Sequence, residues 1–261
     1  MTTQEKSLRV FITGASSGLG KALAQVYASQ GATLGLLGRK EDALQALAQE
    51  LPGQHKTYVV DVADREALHA AAYDFQTLGP TDIVIACAGI SVGTVTEYLE
   101  DFETFRRVYE TNVFGLVATF EPFIANMKKA KKGTLVGISS VAGVRGLPGA
   151  SAYCSSKSAV RTYCESLRVD LYNTGVKVVT IAPGFIDTPM TKVDPYKMPF
   201  LMPVNDFAQV AVSTIEKGCS YKVIPWQMGV VGKLLRLVPN PVYDYFVSKR
   251  GRKPRQHEMP K

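Results

Sequence analysis

Short apolar runs punctuate this chain, and between them apolar residues return every three or four positions. Leu8 to Ile12, Leu34 to Leu37, Thr57 to Val60, Ile83 to Cys87, Gly133 to Ile138, Lys177 to Ile181 and Tyr221 to Ile224 read as buried strands. The stretches Lys21 to Gln30, Phe102 to Met127 and 152 to 172 read as helices. Strands alternating with helices in this way predict a parallel sheet covered on both faces, a doubly wound α/β fold.

With 261 residues and 46% hydrophobic content the chain can bury one full core without a second domain. No repeat, low-complexity tract or linker divides it. Cys87, Cys154, Cys164 and Cys219 show no Cys-x-x-Cys spacing and no histidine cluster, so reduced thiols are expected and a metal site is not. Met1 to Ser7 is short and polar, which gives no sign of a secretory signal and leads to the expectation of a cytoplasmic protein.

Two motifs carry chemistry. Thr13-Gly14-Ala15-Ser16-Ser17-Gly18-Leu19-Gly20 joins the first strand to the first helix, with the spacing Gly-x-x-x-Gly-x-Gly. Glycines at such a junction let the backbone turn and approach a pyrophosphate, whose charge meets the free N–H groups and positive dipole of the helix start. The second motif is Tyr153-x-x-x-Lys157, with Ser140 thirteen positions before the tyrosine and Asn112 farther back. Residues four apart share a helix face, and an ammonium beside a phenol lowers its pKa from about 10, making it a usable proton donor or acceptor. Ser140 is then placed to hold a substrate oxygen.

Together, Thr13-Gly14-x-x-x-Gly18-x-Gly20, Asn112, Ser140, Tyr153, Lys157 and Pro183-Gly184 resemble the short-chain dehydrogenase/reductase family in order and spacing, over residues 7 to 225. The resemblance implies a single Rossmann-type domain that binds a nicotinamide dinucleotide and moves hydride between it and a carbonyl or alcohol. It makes Tyr153 the general acid or base and Ser140 the group that orients the substrate oxygen. Lys157 would hold the nicotinamide ribose and lower the tyrosine pKa, and Asn112 would belong to a water-linked proton relay. Expected cofactor contacts are Gly14, Ser16, Ser17, Gly18, Leu19, Gly20, Ala88, Gly89, Pro183 and Gly184, with Asp61-Val62 at adenine and Thr188 at the carboxamide. A homodimer through the Tyr153 helix and the Phe102 to Met127 helix is implied as well.

The second strand ends in Leu36-Leu37-Gly38-Arg39-Lys40. An acidic residue there accepts hydrogen bonds from the ribose of NAD, whereas a guanidinium pairs with the 2′-phosphate of NADP, so Arg39 and Lys40 favour NADP (NADPH). Two departures from the family pattern stand out. Asn-Asn-Ala-Gly after the fourth strand is replaced by Ala86-Cys87-Ala88-Gly89, and the usual aspartate-glycine-glycine terminus is missing. Between Thr191 and Val204, where the family places its substrate lid, Tyr196, Met198, Phe200, Leu201 and Met202 offer an apolar, adaptable surface, which suits a lipophilic substrate or simply covers the core edge.

Charge adds a second feature. Residues 227 to 261 carry Lys233, Arg236, Lys249, Arg250, Arg252, Lys253, Arg255 and Lys261 against only Asp244 and Glu258, so the first 226 residues are close to neutral although the chain is +7. In the same segment Val230, Val231, Leu234, Leu235, Leu237 and Val238 recur at helical spacing, Pro239-Asn240-Pro241 interrupts, and Val242, Tyr243, Tyr245, Phe246 and Val247 follow. Neither piece reaches the roughly 20 apolar residues needed to cross a bilayer. Peripheral membrane contact through residues 227–255, similar to extensions in hydroxysteroid dehydrogenases and sphingoid-base ketoreductases, and packing over the pocket or a partner subunit both remain open. Nucleic-acid binding is not expected, because no recognition motif accompanies the basic residues, and Lys128, Lys129, Lys131 and Lys132 read as a helix C-terminal cluster.

The expectation is thus a dinucleotide-binding catalytic domain over residues 1–226 with an apolar, basic extension over 227–261. Its activity would be NADP-dependent reduction of an apolar ketone or aldehyde, or the reverse oxidation. A catalytically silent NADP-binding sensor or membrane-recruited binding protein on the same fold is the alternative, and an NAD-linked dehydrogenase a third.

Overall fold

The computed structural model describes residues 7–192, 197–249 and 251–258; Met1 to Lys6, Tyr196, Arg250 and Lys261 lie outside the described residues. The chain runs β1 (Arg9–Thr13), α1 (Gly18–Ser29), β2 (Thr33–Gly38), α2 (Glu41–Glu50), β3 (Lys56–Val59), α3 (Arg65–Gln76) and β4 (Ile83–Ala86). It continues with α4 (Asp101–Tyr109), a π turn (Glu110–Phe114), α5 (Gly115–Ala130), β5 (Gly133–Ile138), α6 (Ser151–Asp170) and β6 (Val176–Pro183). The remainder comprises β7 (Ile186–Asp187), β8 (Met202–Pro203), α7 (Val204–Glu216), β9 (Tyr221–Ile224), α8 (Trp226–Leu237) and α9 (Asn240–Val247).

Seven parallel strands form one sheet in the order β3-β2-β1-β4-β5-β6-β9, and β7 pairs with β8 beside it. The order turns back between β1 and β4, which opens a crevice beyond the carboxyl ends of those two strands. Both sheet faces are covered, which is why the strands are apolar throughout rather than alternating. On one face Leu23, Tyr27, Leu34, Leu36 and Phe207 bring α1 and α7 onto the sheet. On the other, Phe11 packs at 5.6 Å from Phe75 and 5.2 Å from Phe123, ring centre to ring centre, beneath α3 and α5. Each fully buried Phe contributes about 1.5–3 kcal/mol of transfer free energy.

The sheet and the helix carrying Tyr153 match expectation, but the Phe102 to Met127 stretch is not one helix. The π turn at Glu110–Phe114 separates α4 from α5 and contains Asn112. Such a turn shifts the helix face by a fraction of a turn, a device that recurs at functional sites.

Beyond β9 the chain stays on the same body. Arg145, in the loop after β5, donates to Leu235 O at 2.8 Å, Val238 O at 2.7 Å and Asn240 Oδ1 at 2.7 Å, and its guanidinium lies 3.8 Å from the Tyr243 ring centre. That pins the α8–α9 joint where the two prolines interrupt the helix. The last described residues then fold back: Lys253 and Arg255 are each only 4% exposed, and Arg252 pairs with Glu258. The basic tail is therefore not simply a solvated extension, since part of its charge is built into the protein.

Candidate active site

Two glycines make the tight turn of the Thr13 to Gly20 loop possible. Gly14 has φ +70°, and a Cβ there would sit 2.8 Å from the Ala88 backbone, so the loop passes against the end of β4. A Cβ on Gly20 would collide with the Gly14 carbonyl. Thr13 ties the same two segments together, its hydroxyl accepting from Cys87 N at 3.2 Å and Ala88 N at 3.4 Å. Ser17 occupies the N-cap of α1 without using its side chain there, and no acidic residue stands in the first turn. The helix start therefore offers its N–H groups and positive end to a ligand.

A cavity of about 350 Å³ runs from this loop to α6. Gly14, Ser16, Ser17, Gly18, Leu19, Gly20, Arg39, Lys40, Asp61, Val62, Ala88, Gly89, Pro183, Gly184 and Thr188 all line it, and so do Ser140, Tyr153 and Lys157. Asn112 does not; it stands directly behind Gly89. The long shape, the glycine cradle at one end and the uncapped helix start fit an extended ligand with a pyrophosphate at its centre. At the β2 end Arg39 lies 3.5 Å from Asp61, both side chains being well exposed.

At the opposite end the segments carrying Tyr153 and Lys157 are held by a chain of hydrogen bonds. Asn112 accepts from Ile90 N at 2.8 Å and donates to Ile90 O and to Ser156 Oγ, both at 3.0 Å. Ser156 in turn donates to the Tyr153 carbonyl at 2.8 Å. The π turn thus fixes the chain after β4 to the first turns of α6. Ser139 donates to the Lys157 carbonyl at 2.7 Å, and Ser140 caps a short 3₁₀ turn by accepting from Ala142 N at 3.1 Å. Neither Ser139 nor Ser156 was singled out by sequence; single hydroxyls leave no spacing signal. Ile90, Thr111 and Met190 are further cavity residues that the motifs did not reveal.

Lys157 is 5% exposed, donates to Ile138 O at 2.9 Å and lies 5.9 Å from the Tyr153 ring centre. Burial lowers its pKa to about 8, partly offset by the nearby Cys87 and Cys164. Burial also pushes the Cys87 thiol up to about 12 and raises Cys154, so both thiols are neutral at ordinary pH. Among the described residues no group of acidic, cysteine and histidine side chains is arranged to hold a metal ion.

Comparison with known proteins agrees with this geometry. The family description "short chain dehydrogenase" matches residues 9–197. An uncharacterized oxidoreductase of Myxococcus xanthus is 39% identical over 238 residues, covering 89% of this chain and 93% of that protein. Mouse dehydrogenase/reductase SDR family member 7B is 39% identical over 188 residues, covering 69% of this chain but only 58% of its own length. Among solved structures, a 3-oxoacyl-[acyl-carrier protein] reductase with bound NAD from Brucella melitensis superposes with a TM-score of 0.74 at 30% identity, covering 84% of this chain and 90% of the other. The chain belongs to the short-chain dehydrogenase family, oxidoreductases that bind a nicotinamide cofactor.

Proposed function

We propose that this protein is an NADP-dependent oxidoreductase that transfers hydride between the nicotinamide and a carbonyl or alcohol of an apolar small molecule or lipid. The observation that carries the reading is the placement of Tyr153, Lys157 and Ser140 on the wall of the same cavity whose far end is the glycine cradle. The Gly14 to Gly20 loop and Lys157 would hold the dinucleotide, which when bound would supply or accept the hydride. Tyr153 protonates the developing alkoxide in reduction and takes the alcohol proton in oxidation, and the Ser140 hydroxyl holds the substrate oxygen. With its pKa near 8, Lys157 is about 90% ammonium at pH 7 and favours the phenolate form of Tyr153. Asn112 fixes the segment that carries a proton relay toward Lys157.

The NADP preference rests on Arg39 and Lys40 and on the absence of an acid at the end of β2. The Arg39–Asp61 pair is exposed, so its loss to a 2′-phosphate costs little. The Brucella relative has NAD bound, which makes cofactor choice a point to measure. Met190 at the cavity, with Phe200 and Leu201 exposed about ten residues farther along the chain, supports an apolar substrate. A homodimer through α5 and α6 is supported by exposed Val169 at the end of α6 and by Phe114 and Tyr172 flanking the two helices.

In this reading residues 1–226 are the catalytic unit, the protein is cytoplasmic, and α8 and α9 of the 227–261 extension touch a membrane surface. Trp226, Val230, Leu234 and Leu237 recur along α8 and are exposed, Leu237 by 80%. No helix among the described residues is long and apolar enough to cross a bilayer. Oxidation of NADPH against NADH, over a panel of hydrophobic ketones, tests the function. Turnover with at least one ketone and a preference for NADPH that Arg39→Ala erodes about tenfold is expected. Tight nucleotide binding without turnover on any carbonyl or alcohol would instead make the protein a sensor.

A further inference from the structure

The reading above uses Lys157 alone to tune Tyr153, yet a second ammonium stands at the same ring. Lys253 Nζ lies 6.0 Å from the Tyr153 ring centre, against 5.9 Å for Lys157. Lys253 comes from the far end of the chain and is almost wholly buried. We propose that residues Arg252 to Arg255 are a strap that completes the substrate side of the active site, and that Lys253 is a positioning residue whose charge, together with that of Lys157, makes the Tyr153 phenol more acidic by favouring its phenolate form.

The strap is built into the fold at three levels. Its backbone lies between two segments that border the site: Lys253 N donates to Pro148 O at 3.2 Å, and Gly93 N donates to Pro254 O at 2.9 Å. Those two segments also join each other, because Thr94 N donates to Gly149 O at 2.9 Å and the Thr94 hydroxyl accepts from Ala152 N at 3.2 Å in the first turn of α6. The chain one residue from Tyr153 is therefore anchored to the segment that the strap covers.

The contact requires glycine on the body side. A Cβ on Gly93 would collide with the Pro254 carbonyl, and one on Gly149, whose φ is +67°, would sit 3.0 Å from Lys253 N. Approach this close at two separate glycines fits a segment meant to lie there.

Arg255 then locks the strap. Its Nε and Nη2 reach the two Asp101 oxygens at 2.9 Å each, Nη2 reaches Glu100 at 2.7 Å, and the guanidinium lies 3.7 Å from the Tyr98 ring centre. Asp101 also accepts from Val95 N at 2.8 Å, and its hydrogen bonds to Arg255 hold its carboxyl below the usual range. A paired fork with a stacked face is the strong form of an arginine contact. Burying an ammonium two residues away costs stability, and the clamp offsets that cost.

The groups placed near Tyr153 include Lys157 on its own helix, Lys253 on the strap and the Cys154 thiol beside it, with the Cys87 thiol after β4 next to Lys157. Both thiols are neutral at working pH, whereas the two ammonium groups stand against the Tyr153 ring as positive charges. Two positive charges favour phenolate more than one does.

The role assigned to Lys253 rests on the acid–base reading of Tyr153, so its test is made without turnover. The full chain is labelled with tyrosine carrying carbon-13 at Cζ, and the Tyr153 resonance is assigned by its loss in Tyr153→Phe. In wild-type protein Tyr153 is expected to titrate below the ordinary value of ~10, and about one unit higher in Lys253→Met. Lys253→Arg, which keeps the charge, is expected to titrate with the wild type. The same upward shift is expected in the pH profile of kcat/KM for alcohol oxidation, with nucleotide affinity unchanged. A folded Lys253→Met protein whose Tyr153 titrates as in the wild type overturns the proposal. If Lys253→Met does not fold, Arg255→Gln frees the strap with Lys253 intact, and an unmoved Tyr153 there overturns it equally. A Tyr153 that shifts with Lys253 in a protein that turns over no carbonyl or alcohol would overturn the catalytic reading while leaving the charge coupling in place.

Discussion

The two ends of the cavity are constructed by opposite means. At the glycine-loop end, eight consecutive residues, Thr13 to Gly20, supply the turn, the cradle and the helix start, resting on the adjoining ends of β4 and β2. At the Tyr153 end, the support behind the tyrosine is assembled from Gly93 and Thr94, Pro148 to Ala150, and Lys253 to Arg255, held by a clamp to Asp101 that spans 154 positions of sequence. A local cradle depends on backbone geometry at single positions. A composite wall depends on contacts that close only when the whole chain has folded, so the two ends should fail independently.

The largest separation is expected at Gly20. Gly20→Val places two branches against the Gly14 carbonyl, and nucleotide affinity is expected to fall about 100-fold or more, roughly the effect of 3 kcal/mol, while the strap contacts survive. Titration calorimetry with NADPH, alongside hydrogen exchange of the first turn of α6 at residues 151–154, checks both halves. Equal loss of protection at α6 would deny the independence of the ends.

A smaller and opposite effect is expected at the clamp. Arg255→Ala leaves Asp101 and Glu100 facing each other without their cation and loosens the strap. A fall in kcat of about 10-fold, with nucleotide affinity within a factor of ~2 of wild type, is the expected pattern. Steady-state kinetics with separate nucleotide binding decides it, and a parallel loss of nucleotide affinity would merge the two ends into one unit.

The smallest effect is on stability. Lys157 has its pKa lowered from 10.5 to about 8 by burial, so below pH 8 it is charged in both folded and unfolded states and the full penalty is present. Between pH 8 and 10.5 the unfolded chain binds the extra proton, and the stability of the nucleotide-free protein rises with pH across that window. Lys157→Met removes the penalty but also a hydrogen bond to Ile138 O, and a net gain of about 1–2 kcal/mol is expected at pH 7, fading toward pH 10.5. Urea unfolding at both pH values measures it; a loss of stability at pH 7 would show that the buried ammonium is better compensated than its surroundings indicate.

The same contrast explains what the sequence disclosed. The strands of the parallel sheet are short apolar runs because both faces are buried, and Thr13 to Gly20 announces itself because glycine is demanded at fixed steps. Tyr153 and Lys157 are legible as a helical pair four apart. The π turn around Asn112 is not, since one altered hydrogen-bond step hardly disturbs a helical hydrophobic pattern. Lys253 and Arg255 are counted in the sequence as tail cations, and only their partners Tyr153 and Asp101, 100 and 154 positions away, reveal that they are structural. Ser139 and Ser156 escape notice because each acts through a single hydroxyl on a backbone carbonyl.

The central claim, that Tyr153 moves the proton beside a dinucleotide in this cavity, is tested most directly by single-turnover oxidation of NADPH with an accepted carbonyl substrate, comparing wild type with Tyr153→Phe. Loss of the hydroxyl is expected to slow the chemical step by about 10²–10⁴-fold while NADPH affinity stays within a factor of ~3. A chemical step as fast as in the wild type would contradict the assignment.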